Sequence, residues 1–268
     1  MSSPLVVATE PVPAASRPKY LSPSSVSTFQ QCPLRYRYSR IDKIHEPSTE
    51  AQVLGSMVHH VLEELHKVDR AQRTVDEARR IMLKLWDEQW GDSALELGLG
   101  DYDRHMFRYR GWRCVLSYFN LEDPETIQLD GIECRLEQQI AGVPVLGILD
   151  RYHRDPDGQV VISDYKTGKV SKKPYDAEKR QQLMVYVDLV ESTYPELTVG
   201  AAELLYLSGN GTRVRYDPTS EERDAMRAVL AETWEGVQTS CDTGAFEARK
   251  SRLCDWCYYK GSCPAWTR

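Results

Sequence analysis

Asp164 and Lys166 stand two positions apart where an apolar run gives way to turn residues, in VVISDYKTGK (160–169). On an extended strand residues i and i+2 project to the same face, so this carboxylate and this ammonium share one surface. A second acid, Asp150, closes another apolar run, VLGILD (145–150). A hairpin pairing the two runs would bring both carboxylates to the same end of a sheet. Paired hard oxygen ligands suit Mg²⁺ or Mn²⁺, and a lysine on that face could orient or help deprotonate a water. Those are the parts of metal-assisted phosphodiester hydrolysis. An Asp-x-Lys pair by itself is more simply read as a surface ion pair, so the surrounding motifs have to decide.

Cysteine supplies a second constellation. Cys254, Cys257 and Cys263 form C-x2-C-x5-C in RLCDWCYYKGSCP (252–264), and Cys32 lies far upstream in QQCPLRY (30–36). Four thiolates satisfy either Zn²⁺ or an iron-sulfur cluster, and ligand chemistry alone does not choose. Cys114, Cys134 and Cys241 sit in apolar or mixed stretches and read as packing residues. With no secretory signal pattern at the start, disulfides are not expected.

The elements that must position these groups can be read from periodicity. Ser22 or Ser24 can cap, and Pro23 suits the first turn of, a helix in 20–40 that uses Val26, Phe29 and Leu34 for contacts. Residues 50–68 predict a helix with Leu54, Val58, Val61, Leu62 and Leu65 on one face. Mostly helical sequence continues to about residue 120, interrupted by GDSALELGLGD (91–101). From 132 the period changes: IECRLEQQI, PVLGILDRYHR and QVVISDYKT are strand-like, the last two joined by Asp-Pro-Asp-Gly, a hairpin signal. Helix returns at 174–193, a strand pair spans 199–208 and 212–217, and a last helix covers 219–240. The expected fold class is α/β, a mixed β-sheet flanked by helices with a helical insertion at 70–130 ahead of it. Residues 1–19, rich in Pro, Ala and Ser, are expected to be a disordered leader. Residues 20–268 are expected to form a single domain ending in a cysteine-rich segment, 241–268.

Four motifs occur in order: G-x-x-x-H at Gly55 to His59, G-I-L-D at Gly147 to Asp150, D-Y-K-T-G at Asp164 to Gly168, and Q-x-x-x-Y at Gln182 to Tyr186. In this set and order the chain resembles the PD-(D/E)xK nuclease superfamily, and within it the RecB-like and Cas4-like nucleases. The resemblance runs from roughly residue 20 to the C-terminus and is weakest between 70 and 130. It implies a restriction-endonuclease-like core in which His59, Asp150, Asp164 and the backbone carbonyl of Tyr165 ligate a divalent metal. Lys166 would be the catalytic lysine. Gln182 and Tyr186, one helical turn apart, would face the site or the DNA backbone. Only the spacing from Gly55 favours His59 over His60, and Leu149 stands where the family often has proline. Glu137, on the preceding strand, reads as a surface residue. Cys32-Pro33 before the core and a trio ending in Cys263-Pro264 after it resemble the [4Fe–4S] arrangement of AddB-type and Cas4-type nucleases. That resemblance favours a cluster over structural Zn²⁺. Its expected role is a staple between the chain ends, stabilising by several kcal/mol as a long-loop disulfide would.

Composition narrows the function classes. A net charge of −6 with 28% charged residues argues against coating nucleic acid by bulk electrostatics. Basic residues are nevertheless grouped: Arg35, Arg37, Arg40 and Lys43, and again Lys166, Lys169, Lys172, Lys173, Lys179 and Arg180. Arg35-Tyr36-Arg37-Tyr38 alternates charge and aromatic ring, a composition that can stack bases or pack beside a cluster. No run of eighteen apolar residues occurs, and the expected location is cytoplasmic. The expected function is a metal-dependent DNA nuclease, an exonuclease on single strands or ends, in DNA repair, recombination or processing. No G-x-x-x-x-G-K-[ST] motif is present, so unwinding would need a helicase or other DNA-processing partner. The alternatives are a non-catalytic nucleic-acid-binding subunit that keeps the fold and cluster, and a zinc-stabilised enzyme acting on RNA.

Overall fold

A computed structural model of the chain describes residues 5–8, 10–170 and 176–266. Lys172 and Lys173 of the second basic group lie outside the described residues. The chain divides into two compact units, one built from residues 1–47, 137–147 and 220–268, the other from 48–136 and 148–219.

In the first unit Ser22 caps helix α1 (Pro23–Gln31). Its hydroxyl accepts from the Ser25 amide while the Ser22 amide donates to the Ser25 hydroxyl, with Pro23 in the first turn. A short helix α2 (Pro33–Tyr36) follows directly and runs into a wider π-type turn, Arg37–Ile41. Near the other end of the sequence lie helix α8 (Ser220–Thr243) and strand β7 (Ala245–Ala248). Leu5–Ala8 form a strand, β1, antiparallel to β7 with Leu5 opposite Ala248, and the Val12 amide donates to the Cys241 carbonyl at 2.8 Å. The partner strand comes from more than two hundred residues away in the sequence.

In the second unit Thr49 and Gln52 cap helix α3 (Glu50–Lys67) reciprocally. Its buried face is Val53, Met57, Val58, Val61, Leu62 and Leu65, with Leu54 only half-buried. Helices α4 (Val75–Leu85), α5 (Gly91–Glu96) and α6 (Asp101–Leu121) make up the insertion. The glycine-rich stretch does not break the helical run where expected. Gly91 opens α5 because a Cβ there would sit 2.9 Å from the Trp86 carbonyl, and only 97–100, with Gly98 at φ +76°, departs from helix.

A five-stranded mixed sheet carries the site, in the order β2 (Gln128–Ile140), β3 (Val143–Arg154), β4 (Val160–Lys166), β5 (Val199–Tyr206), β6 (Thr212–Tyr216). Ala141 and Gly142 take φ of +50° and +77°, the left-handed pair a tight hairpin requires between β2 and β3. Between β3 and β4, Asp155 Oδ1 accepts from the amides of Asp157 and Gln159, closing the Asp-Pro-Asp-Gly turn. β3 and β4 are antiparallel. β4 then crosses through helix α7 (Asp176–Thr193) to the parallel strand β5, which pairs antiparallel with β6. Central β4 is buried from Val160 to Tyr165, as a strand covered on both faces must be. One boundary differs from the sequence reading. Asp150 does not end its strand, because Arg151–Arg154 continue the ladder opposite Val160–Ser163.

Candidate active site

Four elements of the second unit converge on one small region. His59 comes from α3, Asp150 from β3, Asp164, Tyr165 and Lys166 from β4, and Gln182 and Tyr186 from α7. His59 Nδ1 lies 3.2 Å from Asp150 Oδ1, and its Nε2 lies 3.0 Å from the Tyr165 carbonyl oxygen. The Tyr165 amide donates to Asp150 Oδ2 at 2.6 Å. Lys166 Nζ sits 2.5 Å from Asp164 Oδ2 and donates to Gln182 Oε1 at 3.1 Å. Gln182 Nε2 then donates to the Tyr186 hydroxyl at 2.8 Å. The seven residues therefore fall into two hydrogen-bonded groups, His59 with Asp150 and Tyr165, and Asp164 with Lys166, Gln182 and Tyr186, joined where Asp164 and Tyr165 are neighbours on β4. His60 is turned away and accepts from Trp90 Nε1 at 3.3 Å. A Cβ added at Gly55 would meet only Thr167 Oγ1 at an ordinary 3.5 Å, so space alone does not account for that glycine.

Glu133 on β2 was not singled out by the sequence reading. Its carboxylate, His59 and Asp150 offer ligand atoms within 4.8 Å of one another. Strand alternation would not have found it, because Glu133 takes φ +44°, which breaks the two-residue period of β2 at that point. Glu137, four residues on, is exposed, as the sequence reading had it.

The charges are crowded, and the protonation balance shows it. Burial raises the Asp164 pKa to about 6, with Lys166 pulling it down and Asp150 pushing it up. Burial and the Asp150 carboxylate raise Glu133 to about 7. At His59 burial opposes the imidazolium, but the charge and hydrogen bond of Asp150, then Asp164 and Glu133, outweigh it and lift the pKa to about 9. Burial likewise works against the Lys166 ammonium, and Asp164 more than restores it. Without added cations, carboxylates this close are held in balance by His59 and Lys166.

A second network braces the set from beneath. Arg151, fully buried, donates to Glu122 through both terminal nitrogens at 2.5 and 3.1 Å, to Ser163 Oγ at 3.0 Å and to the Tyr118 hydroxyl at 3.2 Å. Ser163 passes on to Glu203 at 2.7 Å, and the Arg151 guanidinium lies 5.7 Å from the Tyr165 ring centroid. Asp150 and Tyr165 are thus held by neighbours that are themselves locked.

In the first unit, Cys32, Cys254, Cys257 and Cys263 line a single pocket together with Arg35, Tyr38, Lys250, Lys260 and Trp266. Burial, more than the neighbouring thiols, raises the Cys257 pKa. Cys114 and Cys241 are buried packing residues, and Cys134 is half-buried. Tyr36 is a core residue packed edge-on against Phe29 at 5.4 Å, whereas Tyr38 stands at the cysteine pocket against Tyr259. The Arg-Tyr alternation therefore serves packing at Tyr36, and that ring cannot stack bases.

The sheet thus carries an acid on each of two adjacent strands and a lysine two residues past the second. Residues 20–264 match the PD-(D/E)XK nuclease superfamily, and the chain belongs to it. A sequence relative is the Gene 69 protein of Mycobacterium phage D29, 25% identical over 267 residues and covering 91% of this chain and 96% of that one. The crystal structure of a "Putative exonuclease" from Eubacterium rectale superposes with a TM-score of 0.56 at 11% identity, covering 89% of this chain and 88% of the other. That likeness is one of fold. Among the described residues no helix is long and apolar enough to cross a membrane.

Proposed function

We propose that the protein is a divalent-metal-dependent deoxyribonuclease of the RecB-like and Cas4-like kind, acting as an exonuclease on single-stranded DNA or DNA ends in repair, recombination or processing. The observation that carries this is the convergence of His59, Asp150, Asp164, the Tyr165 carbonyl and Lys166 from three separate elements within hydrogen-bond reach. The donor set fits Mg²⁺ or Mn²⁺: carboxylates, one backbone carbonyl and one imidazole, with burial raising the Asp164 pKa. Asp150, Asp164, the Tyr165 carbonyl and His59 would hold the ion, and Glu133 is placed to join them. The ion would supply Lewis-acid polarisation of the scissile phosphate and a more acidic water. Lys166, held as an ammonium by Asp164 and Gln182, would orient the attacking water and offset charge on the scissile phosphate. Gln182 and Tyr186 fix the lysine's position from α7 and present a hydroxyl toward the strand being cut.

The four pocket cysteines are proposed to hold a [4Fe–4S] cluster as a structural staple. Among the described residues no three of these sulfurs lie within 4.8 Å of one another. All four line one pocket, which suits a shared metal group, with structural Zn²⁺ as the alternative reading.

The test is cleavage of end-labelled single-stranded DNA with Mg²⁺ or Mn²⁺ by anaerobically purified protein, beside Lys166→Ala and Asp164→Ala. Metal-dependent cleavage lost in both variants is the expected result. Binding without cleavage by the wild type would leave only the non-catalytic DNA-binding reading. Iron and sulfide analysis of wild type against Cys32→Ser tests the cluster, and stoichiometric zinc in place of iron would overturn it.

A further inference from the structure

The C-terminal cysteine segment exposes aromatic rings that the core could have used. Trp256 is 77% exposed, Tyr258 52% and Trp266 43%, while Trp86 and Trp90 are 9% and 8% exposed. Trp256 lies between Cys254 and Cys257 on a short 3-10 turn, and Tyr258 follows Cys257 at the start of the next. Their neighbours Cys254, Cys257 and Tyr259 line the pocket, whereas Trp256 and Tyr258 do not. The local backbone therefore turns cysteines inward and these two rings outward.

Positive charge is close to the rings in sequence. Between 249 and 260 stand Arg249, Lys250, Arg252 and Lys260 against one acid, Asp255, in a chain whose net charge is −6. Lys250 and Lys260 each place Nζ 4.6 Å from the centroid of the Trp266 ring, which fixes two long side chains that would otherwise be mobile. Asp255 and Glu247 answer Lys260 and Arg249. Among the described residues no acidic partner is recorded for Lys250 or Arg252. Protein interfaces gather Trp and Tyr but shed Lys. Exposed rings interleaved with lysine and arginine match instead a ligand with flat π faces and a regularly charged backbone.

We infer that Trp256 and Tyr258 form a stacking platform for unpaired bases of single-stranded DNA, with Lys250 and Arg252 pairing its phosphates. This rests on the nuclease reading for the identity of the substrate, and it adds a binding site on the first unit that the catalytic residues do not supply. Duplex DNA keeps its base faces covered and gains only the charge contacts.

The experiment is fluorescence anisotropy of a labelled oligo(dT) strand and of a duplex of equal length, titrated with chains that all carry Lys166→Ala so that nothing is cut. Trp256→Ala should weaken single-strand binding roughly ten-fold or more, since a base-aromatic stack is worth about 5- to 150-fold in affinity. Trp256→Phe should retain most of it, and duplex affinity should move little. Lys250→Gln with Arg252→Gln should lower the single-strand salt slope by about 1.4. Tyr102→Ala, at another exposed ring on α6, serves as the control. Unchanged single-strand affinity in Trp256→Ala, or an equal loss on duplex, overturns the platform while leaving the nuclease reading standing. Wild type that neither cuts nor binds any DNA removes the nuclease reading itself.

Discussion

Arg151→Ala should be among the most destabilising substitutions in the chain. The guanidinium is fully buried and is the chief counter-charge to Glu122, whose side chain is 9% exposed, and to Glu203, 1% exposed and 3.9 Å away. Removing it leaves two carboxylates facing Arg213 alone, which reaches Glu122 at 2.9 Å and Glu203 at 3.5 Å but is itself 38% exposed and therefore screened. Breaking one side of a buried pair costs about 3–5 kcal/mol, because an uncompensated charge stays behind. Stripping the Arg151 stem also leaves a void against Tyr165. Urea unfolding reads the effect as a lower midpoint at unchanged slope. The charge argument makes a sharper demand. Arg151→Met combined with Glu122→Gln removes a plus and a minus together and leaves Arg213 to balance Glu203, so the double variant should be more stable than Arg151→Ala. A loss below ~1 kcal/mol in Arg151→Ala, or a double variant less stable than the single, would refute the reasoning.

The pH dependence of stability should carry a histidine signature. Burial, with Arg151 and Arg73 nearby, pushes the His66 pKa down to about 2, so below the ordinary value of 6.5 the unfolded chain holds a proton that the folded chain refuses. Stability is then full above 6.5 and falls toward acid by up to about 1.4 kcal/mol per pH unit, with His153, pushed by burial to about 4, adding to the same slope. Urea melts at pH 7.5 and 5.5 should show that His66→Gln flattens the slope, and an unaltered slope would count against it. Gly111→Ala would set a Cβ 2.2 Å from Met57 Cε and 3.2 Å from Met82 Cε. Overpacking of about 1–3 kcal/mol exceeds the ~1 kcal/mol that alanine gains in a helix, so thermal melts should show a net loss, and a gain would mean that the methionines yield freely. Glu133→Gln should weaken Mn²⁺ binding in calorimetry at least ten-fold while Glu137→Gln leaves it alone, and equal behaviour of the two would exclude Glu133 from the ion's surroundings.

What could be read in advance was local or had a fixed spacing. The cap at Ser22, the Asp-Pro-Asp-Gly hairpin and the change from helical to strand period all depend on residues within one turn or one pleat of each other. The same holds for Asp164 with Lys166 and for Gln182 with Tyr186, pairs whose spacing already places them on one face. Pairing of β1 with β7 joins Leu5 to Ala248, and no window of sequence contains both partners. The glycine-rich break was misread for a related reason. Ala94 is fully buried in the insertion's core, and that packing offsets the low helix propensity of Gly91.

Glu133 and Arg151 were illegible for two different physical reasons, and the difference bears on how the site works. Glu133 needs φ +44° to reach His59 and Asp150, so its direction is a property of one unusual backbone residue rather than of strand parity. Arg151 obeys strand parity, but it faces opposite to Asp150 and into the buried interior, where a charged residue is unexpected. Its partners Glu122, Ser163 and Glu203 come from α6, β4 and β5, so the buried charge is satisfied only once the sheet and insertion have assembled. The acid-bearing strands β3 and β4 are thus locked together by a network that exists only in the folded state. Asp150 and Asp164, which repel each other, stay close because their neighbours on the other face, Arg151 and Ser163, are bonded at 3.0 Å. A variant that loosens that bond should let the carboxylates separate and weaken ion binding without touching either of them.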